Sequence, residues 1–346
     1  MNIKRFLAIL HARNLEFIRD RAALGWSIML PVFLIFGFAF LFSNPDKDIY
    51  KVGIHAGSES VSTKKNPAIE NFLATKYIQF INESDLKKSI EKVTHHQLDM
   101  LIDLSGKPSY WINSTSPKGY VLERMLRASA SSPSGDTVYT RQTVTGREIR
   151  YIDWAMPGIL AMNMMFGSLF GIGYVIVRYR KNGVLKRLKA TPLTAFEFIS
   201  AQIFSRLLLT LSITILVFLG TNFFVDFIML GSYFTLFLVY TLGAFCLISL
   251  ALILASRTES EEFAGGILNL ITWPMMIFSG VWFSLEGLPP TAQYLSKLLP
   301  LTHIVDAARA VMNDGAGMLD IMPDLLVLLA MSILFLFIGA MLFRWK

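Results

Sequence analysis

Few of the ionisable side chains in this sequence have the spacing that catalysis requires. No G-x-x-x-x-G-K-[ST] phosphate loop occurs, so the chain lacks the usual backbone cradle for ATP. It also lacks G-x-S-x-G, H-E-x-x-H and paired-cysteine motifs, which are the common signatures of serine nucleophiles and zinc sites. We therefore expect no catalytic residues, no metal site and no cofactor bound by this chain itself.

Two groups of residues could still be drawn as metal or proton-transfer sites: His95 and His96 with Asp99 and Asp103, and His303 with Asp306 and Arg309. The first group straddles a predicted helix-to-strand turn, where ordinary surface polarity is favoured over a metal site. In the second group, capping and ion pairing are favoured over transport chemistry.

Ionisable residues inside membrane-crossing segments are usually functional, and here they are scarce. Arg206 is the main candidate, near the start of an apolar run that begins at about Ile199. From that position its guanidinium could also simply snorkel to the interface. The scarcity of intramembrane carboxylates argues against a proton- or ion-coupled carrier, so active transport would need a separate ATPase.

The densest run of charge follows a long uncharged segment. Residues 154–177 are long enough to cross a bilayer core of about 30 Å. Six basic residues and no acidic one then follow: Arg178, Arg180, Lys181, Lys186, Arg187 and Lys189. The positive-inside rule places this cluster in the cytoplasm. Val184, Leu185 and Leu188 form a short apolar stripe within it, which favours docking of a cytosolic partner over a purely topological role.

Six uncharged or nearly uncharged runs predict six transmembrane helices, at residues 22–42, 154–177, 199–225, 227–256, 263–285 and 323–343. The distribution of Lys and Arg predicts cytoplasmic N- and C-termini. Hydrophobic residues make up 53% of the chain and charged residues 16%, which fits a membrane protein. Residues 1–21 predict an amphipathic helix in the inner interface, with a solvated helix as the alternative. The sequence shows no basic face interleaved with stacking aromatic residues, so it does not indicate nucleic-acid binding.

The polar segment 43–152 predicts an α/β extracytoplasmic domain inserted between the first and second spans. Period-two alternation of apolar residues predicts a half-buried strand over 98–104, and further strands are expected at 51–55, 77–81 and 110–113. Ser84 is expected to cap a helix over 86–93. Ser116-Pro117 is expected to open another helix.

Several short motifs, in order and with suitable spacing, resemble those of the permease subunits of ABC-2 type exporters, which share the type V ABC exporter architecture. They are Arg19-Asp20-Arg21 before a span with Pro31, Pro157-Gly158, Gly183 to Leu188, Ala190-Thr191-Pro192, Ser279-Gly280, Leu288-Pro289-Pro290, Pro300-Leu301-Thr302 and Arg309. The resemblance covers essentially the whole chain and implies an α-helical polytopic membrane protein. It also implies a homodimer with two copies of a separate ABC ATPase, which would bind ATP and Mg.

The resemblance also implies roles for particular residues. A coupling helix in the 178–198 loop would dock on the ATPase through Arg180, Lys181, Gly183, Val184, Leu185, Lys186, Arg187, Leu188 and Lys189. Family members often carry acidic residues where Lys181 and Lys186 stand, so this chain departs from the usual charge pairing. The second and fifth spans would line the translocation path through Met162, Met165, Phe166, Trp273, Met276 and Phe278. Residues 286–322 resemble the family's re-entrant segment, with a plain extracytoplasmic loop as the alternative.

The function implied is ATP-driven export of an amphipathic or hydrophobic molecule, such as a drug, lipid or lipid-linked compound, across a prokaryotic cytoplasmic membrane. One alternative is a Na⁺ or small-ion extruder, against which the missing intramembrane carboxylates count. The other is a membrane-anchored sensor with an external ligand-binding domain, against which the apolar stripe counts. Membrane lipid is an expected partner, and a periplasmic adaptor protein is left open.

Overall fold

The computed structural model describes residues 2–41, 50–55, 71–94, 98–105, 109–113, 116–130, 150–256, 258, 260–285 and 289–343. Its helices, in chain order, are α1 (Ile3–Arg19), α2 (Arg21–Leu41), α3 (Leu86–Thr94), α4 (Pro117–Ala130), α5 (Tyr151–Lys181), α6 (Val184–Lys189), α7 (Ala195–Val225), α8 (Tyr233–Ala255), α9 (Glu261–Phe278), α10 (Pro290–Ser296), α11 (Pro300–Asn313) and α12 (Met322–Leu342). The strands are β1 (Tyr50–His55), β2 (Ile78–Glu83), β3 (Met100–Asp103) and β4 (Ser109–Trp111). Two compact units divide the chain, Met1–Ser43 with Arg147–Lys346, and Asn44–Gly146.

Five of the described helices are long and apolar enough to cross a membrane, namely α2, α5, α7, α8 and α12. The first unit therefore has the composition of a polytopic helical membrane protein. The fifth predicted span, 263–285, falls on α9, which is shorter, at 18 residues, and carries Glu261 and Glu262 in its first turn. A count of six spans stays a prediction.

Helix α9 ends at Phe278, whereas the uncharged run that predicted its span continues to Leu285. Gly280 has a φ of +72°, which directs the chain away from the helix axis. Hydropathy cannot register this turn, because the residues on both sides of it are apolar.

Helix α5 is the centre of the first unit. It runs for 31 residues and packs against α2, α7, α8, α9 and α11. A helix that is apolar on all sides is expected to be surrounded by protein or lipid, and most of α5 is covered by protein. Helix α5 is therefore in direct contact with five other long or buried helices of this unit.

The predicted amphipathic helix at the start of the chain is present as α1 and packs against α7. Its N-cap residue Asn2 accepts a hydrogen bond from the backbone N–H of Lys4 at 3.1 Å. Arg13 and Phe17 on its inner face are buried, and the hydroxyl of Ser205 on α7 donates to Asn14. The buried face of α1 therefore lies on protein, and its depth in a membrane stays a prediction.

Within the 286–322 segment, two helices begin at Pro290 and Pro300, where proline's missing N–H costs nothing. Much of α11 is buried, from Leu301 to Met312, and it packs against α5, α8 and α12. The described part of the segment is thus largely helical and built into the unit. Its depth in the membrane is not tested.

The second unit contains a four-stranded sheet in the order β2-β1-β3-β4. β1 pairs in parallel with β2 and β3, and β4 is antiparallel to β3. The strand predicted as half-buried, β3, is buried along its whole length. One face of the sheet packs Met100 against Leu122, and the other packs Leu101 against Val93 of α3. Because helices cover both faces, the apolar alternation does not mark an exposed side.

Two of the smaller predictions for this unit can be compared with the structure. Ser116 does precede a helix that begins at Pro117, and its hydroxyl accepts from the Gly119 N–H at 3.1 Å. The predicted cap Ser84 is wrong: the carboxylate of Asp85 accepts from the N–H groups of Lys87 and Lys88, at 3.0 and 3.3 Å. A carboxylate one residue nearer the helix is the better acceptor for these donors.

His95 and His96 of the first histidine group lie outside the described residues. Asp99 accepts a hydrogen bond from the backbone of Lys51, and Asp103 accepts from Ser105. Among the described residues, no three His, Cys, Asp or Glu side chains come together as metal ligands.

Candidate functional site

The connection between α5 and α7 is held in one conformation at both ends. After Lys181, Gly183 adopts a φ of +67°, a left-handed conformation that glycine reaches without steric cost, and α6 then begins at Val184. At the other end, Thr194 and Glu197 form a reciprocal capping box at the start of α7. The local sequence therefore specifies a short helix between two fixed points.

Helix α6 and the last residue of α5 present a basic surface. Lys181, Lys186, Arg187 and Lys189 are exposed, while Val184 and Leu188 are half-buried. Because Val184 and Leu188 are four residues apart, they share one helix face. We call these six residues the α6 surface. A protein groove with an apolar centre and an acidic rim would complement it.

Three of the nine predicted coupling residues do not belong to this surface: Gly183, which forms the turn before α6, and the buried residues Arg180 and Leu185. Arg180 is only 7% exposed, and its guanidinium donates to the backbone carbonyls of Ala255, Ser256 and Thr258 at the end of α8. The carbonyls of a helix C-terminus lack intrahelical partners and attract a cation, which explains the burial of this charge. Leu185 is 1% exposed and packs inward. Both residues hold the connection in place and cannot contact a partner in this conformation.

Glu16 of α1 ties α1 to the end of α5. It accepts hydrogen bonds from Arg13 at 2.8 Å and from Arg178 at 2.7 Å, and the hydroxyl of Tyr179 also donates to it. Burial alone would raise the pKa of Glu16, but the Tyr179 hydrogen bond and the charges of Arg13 and Arg178 lower it below its usual value. Sequence reasoning missed this role, although an isolated acid in a basic segment was a usable signal.

Further contacts hold the same connection from two other helices. Glu197 of α7 accepts from the backbone N–H of Asn2 at 2.6 Å, and Arg5 donates to the carbonyl of Pro192. The Nζ of Lys181 lies 3.6 Å from Oε1 of Glu261 at the start of α9, and the Tyr174 hydroxyl donates to the same carboxylate. The α6 surface is thus mechanically linked to α1, α7 and α9.

The residues predicted for a translocation path have different environments within one chain. Met162 and Met165 are buried in the protein core, at 3% and 0% exposure, so cargo could not contact them here. The prediction treated both residues as cargo contacts, but the helices that pack around α5 cover their side chains. Phe166 is half-buried and stacks on Phe170 with ring centroids 6.0 Å apart.

The path residues of α9 have a different environment. Trp273 is 55% exposed, while Met276 and Phe278 are partly covered. Trp273 belongs to an exposed apolar face of α9 that also carries Phe263, Leu270 and Ile277. These four residues recur at helical spacing and are named the α9 face.

A cavity of about 540 Å³ lies among α1, α2, α5 and α7. Apolar residues line most of it, including Phe17, Trp26, Leu30 and Phe170, and charged residues line one part: Arg13, Glu16, Asp20, Arg178 and Arg206. Arg206 is 7% exposed, so it does not snorkel to an aqueous surface. Its guanidinium lies against Gly171 of α5, so closely that a Cβ there would come within 2.1 Å of it.

At the other end of α5, polar contacts anchor the helix start. Asp153 is fully buried and accepts from Arg150 at 2.7 Å and from the Ile228 N–H at 3.1 Å. Arg309 donates to the carbonyl of Trp154 at 2.9 Å, and its guanidinium lies 3.6 Å from the centre of that indole ring.

His303 has the ion-pair role that the sequence favoured. Its Nδ1 lies 2.7 Å from a carboxylate oxygen of Asp324 on α12, and its Nε2 lies 2.9 Å from the carbonyl of Lys297. The paired acid is therefore Asp324, which the sequence reasoning did not connect with His303, because twenty-one residues separate them.

Comparison with known proteins agrees with this architecture. A family model described as ABC-2 family transporter protein matches residues 21–341. The inner membrane transport permease YhhJ of Escherichia coli (strain K12) is 27% identical over 190 residues, which are 54% of this chain and 51% of that protein. Nodulation protein J of Rhizobium meliloti (strain 1021) is 26% identical over 170 residues, 47% of this chain and 63% of its own length. The probable multidrug ABC transporter permease YbhR of E. coli (strain K12) is 22% identical over 169 residues, 48% of this chain and 45% of that protein.

The chain spans about half the length of YhhJ and YbhR. The family model, in contrast, covers nearly all of the chain, from the first residue of α2 to the last turn of α12. Apart from Arg19-Asp20, which directly precede it, the motifs that resembled ABC-2 permeases lie in this matched region, and the resemblance is confirmed. This chain belongs to the ABC-2 family of transporter proteins.

Proposed function

We propose that this chain is one of two identical permease subunits of an ATP-driven exporter, paired with two copies of a separate ABC ATPase. The observation that carries the proposal is the α6 surface. It is basic, has an apolar centre, and lies directly at the end of α5, the helix with the most helical neighbours. A partner that pushed on α6 would move α5 and, through it, the other spans.

The energy for transport would come from the partner. The sequence has no phosphate loop, so this chain would bind neither ATP nor Mg and would hydrolyse no ATP by itself. Lys181 and Lys186 are basic where family members are often acidic, so the facing groove of the ATPase would be acidic at its rim.

The α9 face supports a dimer. It places large apolar side chains in a row on the helix that corresponds to the fifth span of the family. In a dimer, this face and the second span of the partner would border a central path for cargo. The path assignment would then rest on Trp273, Met276 and Phe278, because Met162 and Met165 are buried and Phe166 lines the cavity among α1, α2, α5 and α7.

An amphipathic or hydrophobic cargo, such as a drug, lipid or lipid-linked molecule, is the substrate class we infer. The name of the relative YbhR refers to multidrug transport, which supports this substrate class by analogy. YhhJ is named an inner membrane transport permease, which supports a location of this chain in a cytoplasmic membrane. The basic loops support cytoplasmic termini, with residues 43–152 on the outer side of the membrane.

Docking on α6 can be tested by co-expressing the tagged permease with each candidate ABC ATPase of the source genome. Burying a leucine is worth about 1.5–3 kcal/mol, so Leu188→Asp should reduce co-purified ATPase roughly tenfold or more. Lys186→Glu should have a smaller effect, because exposed ion pairs contribute about 0–1 kcal/mol. Ala190→Asp adds the same negative charge as Leu188→Asp outside the apolar face and is the matched control.

Equal amounts of detergent-extracted, monodisperse permease must be compared, so that misfolding is not read as lost docking. If Leu188→Asp retains the ATPase to the same extent as Ala190→Asp, the apolar face of α6 is not the docking element. With the complex in hand, lipids and amphipathic drugs should stimulate ATP hydrolysis. Stimulation by Na⁺ alone would instead support the ion-extruder alternative.

A further inference from the structure

The cavity among α1, α2, α5 and α7 contains an arginine whose hydrogen-bonding capacity is unused. In the described part of the chain, no atom accepts a hydrogen bond from the buried Nε of Arg206. No carboxylate there lies within ion-pair distance of it either, and its nearest aromatic contact is the ring of Phe17, 5.1 Å away. A buried guanidinium without an anion is costly, so the site calls for a negatively charged partner.

The other charges of the cavity do not meet this need. Three arginines and two carboxylates line it, so the cavity carries an excess of positive charge. Glu16 is already engaged by Arg13 and Arg178, at 2.8 and 2.7 Å. Asp20 accepts the backbone N–H of Ala23 at 3.0 Å and is exposed.

Two glycines shape the cationic end. Gly167 and Gly171 lie one turn apart on α5, and an added Cβ at either would come within 3.1 Å or less of the Arg206 guanidinium. The guanidinium therefore lies close against the α5 backbone, at a position that a larger residue on α5 would fill. Thr210 and Gln202, one turn after and before Arg206 on α7, also keep buried oxygen atoms without partners.

The remainder of the cavity is apolar and extends to the surface of α2. Trp26 is a lining residue and is 68% exposed, so the cavity opens beside it. Phe17, Leu30, Phe166 and Phe170 line the interior. A ligand that fits must combine an anionic group with a hydrocarbon chain, because neither a free anion nor a neutral hydrocarbon satisfies both ends.

We propose that this cavity is a binding site for an anionic membrane lipid, with its phosphate on Arg206 and an acyl chain between α2 and α5 towards Trp26. The lipid reaches the site sideways through the opening beside Trp26. The proposal concerns binding by each single chain and does not depend on which cargo the transporter moves. It also places the lipid within one subunit, whereas the proposed cargo path lies between two.

The test uses the full-length chain in a neutral detergent, titrated with phosphatidylglycerol or with neutral diacylglycerol, both carrying brominated acyl chains. Bromine quenches indole fluorescence on contact, and the Trp26 signal is the difference between wild type and Trp26→Phe. Diacylglycerol has no phosphate to accept a charge-assisted hydrogen bond from Arg206, so phosphatidylglycerol should quench at roughly tenfold lower concentration than diacylglycerol.

Arg206→Gln should abolish this preference, and Arg206→Lys should retain part of it. Lys189→Gln removes one exposed positive charge outside the cavity and should leave the preference unchanged. Inorganic phosphate should not displace the lipid, because it lacks the chain. Equal quenching by the two lipids in wild type, or displacement by millimolar phosphate, would overturn the proposal without reliance on any variant.

Discussion

Three arginines that are buried or partly buried have different environments in this protein. Arg180 donates to carbonyls at the end of α8, Arg309 lies on the ring of Trp154, and Arg206 faces a cavity. Arginine suits all three because its planar guanidinium carries five donors and stays charged when buried. In the sequence, Arg180 is one of six basic residues after a span, and nothing in that pattern distinguishes it from the exposed Lys186. Its burial depends on α8, seventy-five residues away.

Replacing Arg180 tests whether it is a structural residue. Arg180→Gln should lower the free energy of unfolding by about 2–4 kcal/mol, because bonds from a charged donor to buried carbonyls are lost. Thermal unfolding of the purified protein in detergent would measure this. Arg187→Gln, which affects only an exposed hydrogen bond to the Asn182 carbonyl, is the control and should change stability by less than about 0.5 kcal/mol. Similar midpoints for the two variants would contradict the structural role.

His303 should make stability depend on pH. A carbonyl oxygen can only accept, and a carboxylate accepts from the other ring nitrogen, so both nitrogens donate and the imidazolium form is favoured. Burial would lower the pKa of His303, but the bond to Asp324, the Lys297 carbonyl and the nearby carboxylates raise it. A raised pKa stabilises the fold fully below about pH 6.5, and this contribution is lost as the pH rises through the folded-state value.

The unfolding midpoint of wild type should therefore fall as the pH is raised from about 6 to 8, while that of His303→Gln should change less over this range. Asp324→Asn should also reduce the change in the unfolding midpoint between about pH 6 and 8, since the neutral amide no longer favours the imidazolium form of His303. Parallel curves for wild type and His303→Gln would show that the pair contributes nothing.

At the scale of the element, helix periodicity predicted α6 but not which of its faces packs inward. Val184 and Leu188 are four residues apart and share a face, whereas Leu185 is rotated by about 100° from Val184. All three residues still lie within an arc of about 100°, the width of an ordinary apolar helix face, and the protein buries Leu185 at one edge of this arc while it leaves the other two half-buried. Both edges of the arc could pack inward without conflict with the sequence. The packing of α6 on α5 selects one of them.

Helix α9 offers a test of the dimer, because its exposed face carries an apolar row. In a Cys246→Ser background, Leu270→Cys should form an intermolecular disulfide in membranes treated with a mild oxidant, since the two α9 helices would face the central path. Leu334→Cys on α12 is the matched control, because Leu334 is similarly apolar and exposed.

Non-reducing gels should show a band of twice the monomer mass for Leu270→Cys and mainly monomer for Leu334→Cys. Cross-linking of both variants to the same extent would indicate random collision in the bilayer. Preferential cross-linking at Leu334 would place the dimer interface on α12 and reject the α9 face.

At the scale of the whole molecule, the order of apolar runs and basic loops predicted most of the helices to within a few residues. The errors have physical causes. The end of α9 was missed because Gly280 turns the chain within apolar sequence. The burial of α11 was missed because His303, Asp306 and Arg309 give it a polar sequence, while Asp324 and Trp154 provide their partners from elsewhere in the fold. The cavity at Arg206 combines four helices and has no local sequence signal.

Topology is the property of the whole molecule that the charge pattern predicts and labelling can decide. In a Cys246→Ser background, Lys118→Cys on α4 and Lys186→Cys on α6 each introduce one thiol at an exposed position. The removed Cys246 is fully buried, so a serine there changes little of the surface. A membrane-impermeant maleimide should label Lys118→Cys in cells whose outer membrane has been removed, because long segments translocate regardless of their charge. It should label Lys186→Cys only after the inner membrane is opened, because six basic residues hold that loop in the cytoplasm. Labelling of Lys186→Cys in sealed cells would invert the orientation and remove the basis for ATPase docking at α6. Equal protection of both positions would instead mean that α5, the one described candidate span between them, does not cross the membrane.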